Sequence, residues 1–111
     1  MSIDQTEYPT TSIRFRYTLL DEEVGHAYLA IFKNDLHDRP FGLLEDVHVD
    51  GAYRGKGIAT ELIRAVIQSA RERRCYKLIA TSRLGGTRDH IHHWYERLGF
   101  DSYGVEFRLN L

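Results

Sequence analysis

The stretch Tyr53-Arg54-Gly55-Lys56-Gly57-Ile58-Ala59 lies between an apolar segment that ends at Val49 and a long segment of helical period. A strand that runs through a glycine-bearing turn straight into a helix leaves main-chain N–H groups available at the positive end of the helix dipole. The two glycines allow positive φ and close approach of a ligand, and the two basic residues add positive charge. The stretch therefore predicts an anion site, for which a diphosphate is the natural ligand.

A glycine-rich turn that merely starts a helix is the alternative, because a lone Gly-x-Gly is a weak signal. Two other phosphate-binding patterns do not fit the stretch. No Gly-Lys-Ser/Thr follows at the spacing of a P-loop, and Thr60 stands where the dinucleotide-binding pattern has its third glycine. Nucleoside triphosphates and dinucleotides are therefore not the expected ligands.

Downstream of the stretch, the sequence has the period of an amphipathic helix from about residue 56 to residue 74. Its apolar stripe recurs every four residues, at Ile58, Leu62, Val66 and Ala70. A second helix is predicted to begin near Asp89 and to end at Gly99, since these residue types are favoured at the two ends of a helix.

Strands are predicted on both sides of these helices. Alternation from Ser12 to Leu19 predicts a half-buried strand, and the apolar run from residue 24 to residue 32 is typical of a strand buried on both faces. Residues 41–49 and 77–81 predict two more, and two strands are expected to close the chain after Phe100. The order predicts a single α/β domain over residues 1–111, with residues 1–11 as a loose arm.

Composition narrows the class of protein. The 111 residues carry a formal net charge of -1, so we expect no nucleic-acid partner. The single cysteine, Cys75, excludes an internal disulfide and a multi-cysteine metal site. No signal-like region or membrane-length apolar run is present, so we expect a cytoplasmic protein with no membrane partner.

Three motifs in register resemble the GNAT family of N-acetyltransferases. Residues 54–59 are similar to its Arg/Gln-x-x-Gly-x-Gly/Ala signature, Glu45–Val49 to the strand before it, and Tyr95–Phe100 to its Tyr-Glu-Lys/Arg-Leu-Gly-Phe motif. The resemblance covers roughly residues 24–104. It implies an α/β (α+β) fold in which a central mixed, mostly antiparallel sheet carries two main helices.

The resemblance also implies a cofactor, acetyl-CoA (coenzyme A). Its pyrophosphate would be bound by main-chain amides of Arg54, Gly55, Lys56, Gly57, Ile58 and Ala59. The strand that ends at Val49 would splay from its neighbour to admit the pantetheine arm. The cofactor contacts expected along that strand are Val47, His48 and Val49.

The implied reaction passes an acetyl group directly from acetyl-CoA to a primary amine of a small molecule or protein. Tyr95 aligns with the family tyrosine that protonates the departing thiolate, although a core aromatic is the alternative for this residue. The base that deprotonates the amine is expected among Glu45, Asp46 and His48, in that order. Strict period-2 geometry places Glu45 and Val47 on one face of the strand and Asp46 and His48 on the other, although a bulge would disturb this parity.

The chain departs from the family pattern in two respects. It begins almost at the family's second strand, so one wall of the acceptor site is expected from a second subunit, which predicts a homodimer. Arg88 and Ile91 stand where relatives often have an asparagine and an alanine. The histidines at 90, 92 and 93 lack a clear third ligand, so no metal site is expected.

Two readings of function remain open at this level. The leading one is the acetyl-CoA-dependent N-acetyltransferase, favoured by Tyr95 together with the carboxylates on the central strand. The alternative is a non-catalytic acyl-CoA-binding or protein-interaction module of the same fold, favoured by the incomplete acceptor wall.

Overall fold

The computed structural model of the chain describes residues 1–81 and 89–111. These residues form two compact units, Met1–Ala80 and Thr81–Leu111, and each is described by itself below. The first unit contains β1 (Thr10–Leu19), β2 (Glu22–Phe32), β3 (Phe41–Val49), a single 3-10 turn (Gly51–Tyr53), α1 (Ile58–Glu72) and β4 (Leu78–Ala80). The second contains α2 (Asp89–Arg97).

The sheet of the first unit has the order β1-β2-β3-β4. The first three strands are antiparallel neighbours, and β4 runs parallel to β3 after the crossover through α1. A mixed, mostly antiparallel sheet with two helices confirms the predicted fold class. The boundaries differ from the prediction by one or two residues at the ends of α1 and β4 and at the starts of β1 and β2, so the segment before β1 ends at residue 9 rather than 11.

The hydrophobic core of the first unit lies between α1 and one face of the sheet. Its largest fully buried side chains are Val24, Leu29, Ile63 and Val66. Gly25 permits the close approach of α1, because a Cβ there would lie 3.1 Å from the His48 carbonyl oxygen and 3.3 Å from atoms of Ile58 and Leu62. The helix that follows the glycine-bearing loop is thereby held directly over β2 and the end of β3.

The opposite face of the sheet is much less covered, which corrects the prediction that β2 is buried on both sides. Ala27 and Leu29 point toward α1 and are buried, whereas His26, Tyr28 and Ala30 on the other face are only half-buried. The sequence of β2 looks apolar on both faces because small and aromatic residues occupy the face that is less covered. The consequence is a polar and aromatic surface on the side of the sheet away from α1.

In the second unit, α2 ends in a well-formed glycine cap. Gly99 has φ of +99°. The N–H of Phe100 donates to the carbonyl of Tyr95 at 3.1 Å, and the rings of these two residues lie 5.5 Å apart, edge to face. This is the hydrogen bond and apolar contact of a Schellman motif, so the prediction that α2 stops at Gly99 is confirmed.

The prediction of two closing strands is wrong, because residues 101–111 contain neither helix nor strand and all are exposed. The alternation of Val105, Phe107 and Leu109 satisfies the period of a strand, but a strand also needs a neighbour, and no described residue pairs with it. In the described part of the chain, no helix is both long and apolar enough to cross a membrane.

Candidate active site

The glycine-bearing loop joins β3 to α1 in a conformation that exposes main-chain donors. Gly55 has φ of +77° and Gly57 of +82°, and a Cβ added at either would meet open space. Gly57 is the N-cap of α1 and supplies no side-chain hydrogen bond to the helix. Because the first-turn amides of a helix have no intrahelical acceptor, the loop and the helix end together present donors to an anion.

The two basic side chains of the loop differ in their contacts. Arg54 Nε donates to the Val49 carbonyl at 3.0 Å, so this side chain ties the loop back to the end of β3. Lys56 Nζ lies 5.5 Å from the centre of the Tyr53 ring, in a cation–π contact at the surface. Arg54 therefore acts first as an anchor of the loop, a role that the sequence did not reveal.

The strand segment that precedes the loop is paired along one edge only, among the described residues. β4 pairs with β3 only at Gly42, Leu43 and Leu44. Among the described residues, Glu45, His48 and Val49 therefore pair with β2 alone, and the other edge of β3 has no strand neighbour from Glu45 to Val49. An edge of this kind leaves main-chain groups available for hydrogen bonds to an extended ligand.

A bulge at Asp46 disturbs the strict period-2 parity of this segment, a possibility that the sequence left open. Asp46 has φ of +52°, and the register between β2 and β3 shifts at this point. Tyr28 lies opposite Glu45 and His26 opposite His48. Since Tyr28 and His26 share one face of β2, Glu45 and His48 share that face too, rather than lying on opposite faces.

These two residues belong to a polar surface that crosses three strands on the side away from α1. Register places Arg14, Tyr28 and Glu45 in one cross-strand row. The next row contains Arg16, His26 and His48. We call these six residues the two-row face.

Contacts within the two-row face hold its side chains in place. Arg14 Nη1 donates to the Tyr28 hydroxyl at 3.1 Å. The His26 ring lies 5.9 Å from the Tyr28 ring and 5.4 Å from the His48 ring. His48 Nε2 lies 3.1 Å from a carboxylate oxygen of Asp50, at the start of the loop.

Glu23 stands at the β1 side of this face and contacts three basic groups. Its Oε2 accepts a hydrogen bond from Arg14 Nη2 at 2.5 Å and lies 3.8 Å from His26 Nδ1. Its Oε1 lies 3.3 Å from Arg16 Nε. The bond with Glu23 is the main cause that raises the pKa of Arg14. Sequence reasoning missed this cluster, although its signal was present in alternating arginines followed by an acidic turn.

The predicted base candidates are thus brought to one region, at the bulge and free edge of β3. Glu45, Asp46 and His48 are all exposed, whereas Val47 is half-buried and Val49 is buried. Val49 is paired with Gly25 on β2, and its carbonyl accepts the bond from Arg54. A nearby tether joins β1 to the first turn of α1: a hydrogen bond to Glu61 raises the pKa of Tyr17.

Cys75 lies beyond the far end of α1, which is 15 residues or about 22 Å long. Its N–H donates to the carbonyl of Ala70, and its sulfur would lie 3.7 Å from a Cβ added at Gly42. Burial raises the pKa of the Cys75 thiol, against the opposing effect of Arg73 and Arg39. A thiol in this setting is a poor nucleophile.

The remaining predicted residues lie in or beside the second unit. Tyr95 is half-buried on α2, and its ring contacts Trp94 as well as Phe100. Arg88 lies outside the described residues. Within the part of the chain that the structure describes, no group of three or more His, Cys, Asp or Glu side chains is arranged to hold a metal ion.

Comparison with known proteins places these features in a family. A model of the Acetyltransferase (GNAT) family matches residues 5–100. A solved acetyltransferase of Trypanosoma brucei is 32% identical, with a TM-score of 0.77, over 92% of this chain and 69% of that one.

Two curated relatives are glucosamine 6-phosphate N-acetyltransferases. The one from Trypanosoma brucei brucei is 37% identical over 73 residues, which are 66% of this chain and 46% of the relative. The one from Oryza sativa subsp. japonica is 37% identical over 70 residues, which are 61% of this chain and 38% of the relative. The chain thus spans less than half the length of the curated relatives it matches.

Proposed function

Because the chain belongs to the GNAT family of acetyltransferases, we propose that it transfers an acetyl group from acetyl-CoA directly to a primary amine. The observation that carries the proposal is the loop between β3 and α1. Two positive-φ glycines and a helix end without a side-chain cap present main-chain donors there, beside an edge of β3 that no described strand covers from Glu45 to Val49.

The residues of the loop fit the diphosphate of coenzyme A. Donors at Arg54, Gly55, Lys56, Gly57, Ile58 and Ala59 would hold this group, and the partial positive charge of the helix end favours an anion. When bound, acetyl-CoA supplies an activated acetyl thioester. Along the open edge of β3, Val47, His48 and Val49 would provide the cofactor contacts, and a main-chain N–H there would stabilise the oxyanion.

Deprotonation of the amine is assigned to Glu45 first, with Asp46 and His48 as the other candidates. Glu45 is exposed, lies on the open edge of β3 and shares the two-row face with His48. The imidazole of His48 is already in contact with Asp50 at 3.1 Å. Asp46 forms the bulge, so its backbone conformation shapes the edge at which the reaction is proposed.

Protonation of the leaving thiolate is assigned to Tyr95, on the resemblance of the Tyr95–Phe100 motif to that of the family. Transfer is direct, with no acetyl-cysteine intermediate. The half-buried setting and raised pKa of Cys75, and its position beyond the opposite end of α1 from the loop, support this assignment.

A homodimer completes the proposal. The sheet face away from α1 remains half-buried or exposed at His26, Tyr28 and Glu45, and a reaction at this face benefits from exclusion of water. A second copy would supply the cover around the acceptor. Sedimentation at working concentration is expected to give a dimer, and a monomer would contradict this part of the proposal.

The test of the reaction is thiol release from acetyl-CoA with a panel of primary amines that includes glucosamine 6-phosphate, the acceptor in the names of the relatives. Amine-dependent release is expected, and Glu45→Gln should lower kcat about 100-fold, since general bases contribute at least this much. Glu7→Gln, in the N-terminal arm, is the matched control. Acetyl-CoA binding without release for any amine would instead support an acyl-CoA-binding module.

A further inference from the structure

The two-row face is electrically uneven from one side to the other. On the β1 side stand two guanidinium groups, Arg14 and Arg16, against the single carboxylate of Glu23. On the β3 side stands the carboxylate of Glu45, which is exposed. The β1 side therefore carries excess positive charge, and the β3 side carries negative charge.

The geometry of the face sets the distance between these two ends. Arg14, Tyr28 and Glu45 occupy successive strands in one row. Two interstrand spacings separate β1 from β3, which is about 10 Å. Side chains that lean toward each other shorten this span. A small molecule with a cationic amine at one end and an anion at the other would fit it.

Glu23 shows that the β1 side already binds an anionic group. One oxygen of its carboxylate pairs with Arg14 and the other with Arg16, and a ring nitrogen of His26 lies 3.8 Å from the first. Three basic groups from two strands thus converge on one carboxylate. The side chain of Arg16 is still 64% exposed, so solutes can reach this cluster.

We propose that Arg14 and Arg16 form a subsite for an anionic group on the acceptor, and that Glu23 competes with that group for the two arginines. The acceptor is then a primary amine that also carries a phosphate or a carboxylate. Its amine lies toward Glu45 and its anion toward β1. This inference rests on the proposed acetyl transfer, because the role of the β3 end comes from that reaction.

The proposal makes opposite predictions for the two partners of the ion pair. Arg16→Gln removes a charged donor, so KM for an anionic acceptor should rise about tenfold while kcat is unchanged. Glu23→Gln removes the competitor, so KM for the same acceptor should fall. Arg16→Lys keeps the charge and should recover part of the affinity. Arg64→Gln, on the exposed side of α1, is the matched control and should change neither constant.

Matched acceptors separate the contribution of the anion from that of the amine. Glucosamine 6-phosphate is compared with glucosamine, and 5-aminopentanoate with pentylamine, so that phosphate and carboxylate are tested separately. The anionic member of at least one pair should have the lower KM, and Arg16→Gln should remove that preference. Equal kcat/KM within both pairs, or equal effects of Arg16→Gln on anionic and neutral acceptors, would overturn the proposal.

A binding measurement keeps the subsite testable if no amine is acetylated. Inorganic phosphate is titrated into the full chain, and the amide signals of β1 and β2 are followed by NMR. Stronger binding in Glu23→Gln and weaker binding in Arg16→Gln would support the subsite while the transferase proposal fails. Identical phosphate affinity in the wild type and both variants would overturn the subsite, whatever the outcome for catalysis.

Discussion

Two helix ends carry the family motifs, and they differ in how their main-chain groups are satisfied. At the start of α1, Gly55 and Gly57 have positive φ, and no side chain of the N-cap binds the helix amides. At the end of α2, Gly99 also has positive φ, but the carbonyl of Tyr95 accepts a hydrogen bond from Phe100. The first end offers donors to a ligand, whereas the second is completed by its own chain.

This difference shows that positive-φ glycines at two helix ends can have different physical causes. Under the proposed function, the glycines of the loop serve a ligand that needs closely approaching amides. The Leu-Gly-Phe portion of the second motif is explained by the cap alone, since Gly99 turns the chain and Phe100 packs on Tyr95. The cap uses the carbonyl and the ring of Tyr95, so a catalytic role depends on its hydroxyl.

The largest effect is expected from Tyr95→Phe, which keeps the ring and carbonyl of the cap and removes only the hydroxyl. If the phenol protonates the leaving thiolate, kcat should fall about 100-fold. Helix content by circular dichroism and affinity for acetyl-CoA should remain those of the wild type. An unchanged kcat would show that the Tyr95–Phe100 motif serves only as a helix cap.

A smaller effect is expected from Gly57→Ala in the loop. A Cβ disfavours the left-handed conformation by about 1–2 kcal/mol, so the loop relaxes and acetyl-CoA affinity should fall about tenfold. Gly51→Ala is the matched control, because Gly51 does not have positive φ and a Cβ there meets nothing within 4 Å. Equal affinities of the two variants by calorimetry would remove the special role of Gly57.

The corresponding change at the other helix end, Gly99→Ala, should affect stability rather than binding. Loss of the unstrained positive φ is expected to lower the free energy of unfolding by about 1 kcal/mol. Denaturant unfolding measures this change, and hydrogen exchange should locate it in α2. If acetyl-CoA affinity also fell as far as in Gly57→Ala, the contrast between the two helix ends would be lost.

The smallest effect is expected from Cys75→Ala, which lies in neither region. Direct transfer requires no thiol on the protein, so kcat and KM for the amine should both be unchanged. Mass spectrometry after incubation with acetyl-CoA should detect no acetyl group on Cys75 of the wild type. Loss of activity in the variant, with retained fold, would indicate a covalent intermediate.

The parts of the structure that local patterns determine could be predicted from the sequence. The stripe of α1 and the stop at Gly99 depend on neighbours a few residues away, and both are present in the structure. The strand–loop–helix order at residues 41–72 is local in the same sense. The presence of two positive-φ glycines in the loop also follows from residue type.

The parts that depend on pairing between distant residues could not be predicted. A bulge was allowed for on this strand, but only the register with β2 shows that it lies at Asp46 and brings Glu45 and His48 to one face. The cluster of Arg14, Arg16 and Glu23 likewise arises from the β1–β2 hairpin register. The prediction of two closing strands was wrong because the alternation at residues 105–111 shows that the segment could form a strand, but not that a neighbouring strand is there to pair with it.

The most direct test of the central claim compares two ligands in one calorimetric experiment. Acetyl-CoA and acetylpantetheine share the thioester and the arm, but only acetyl-CoA has the diphosphate that the loop is proposed to bind. We expect acetyl-CoA to bind more tightly, and the difference to shrink in Gly57→Ala but not in Gly51→Ala. Equal affinity for the two ligands, or no binding of acetyl-CoA, would contradict the account.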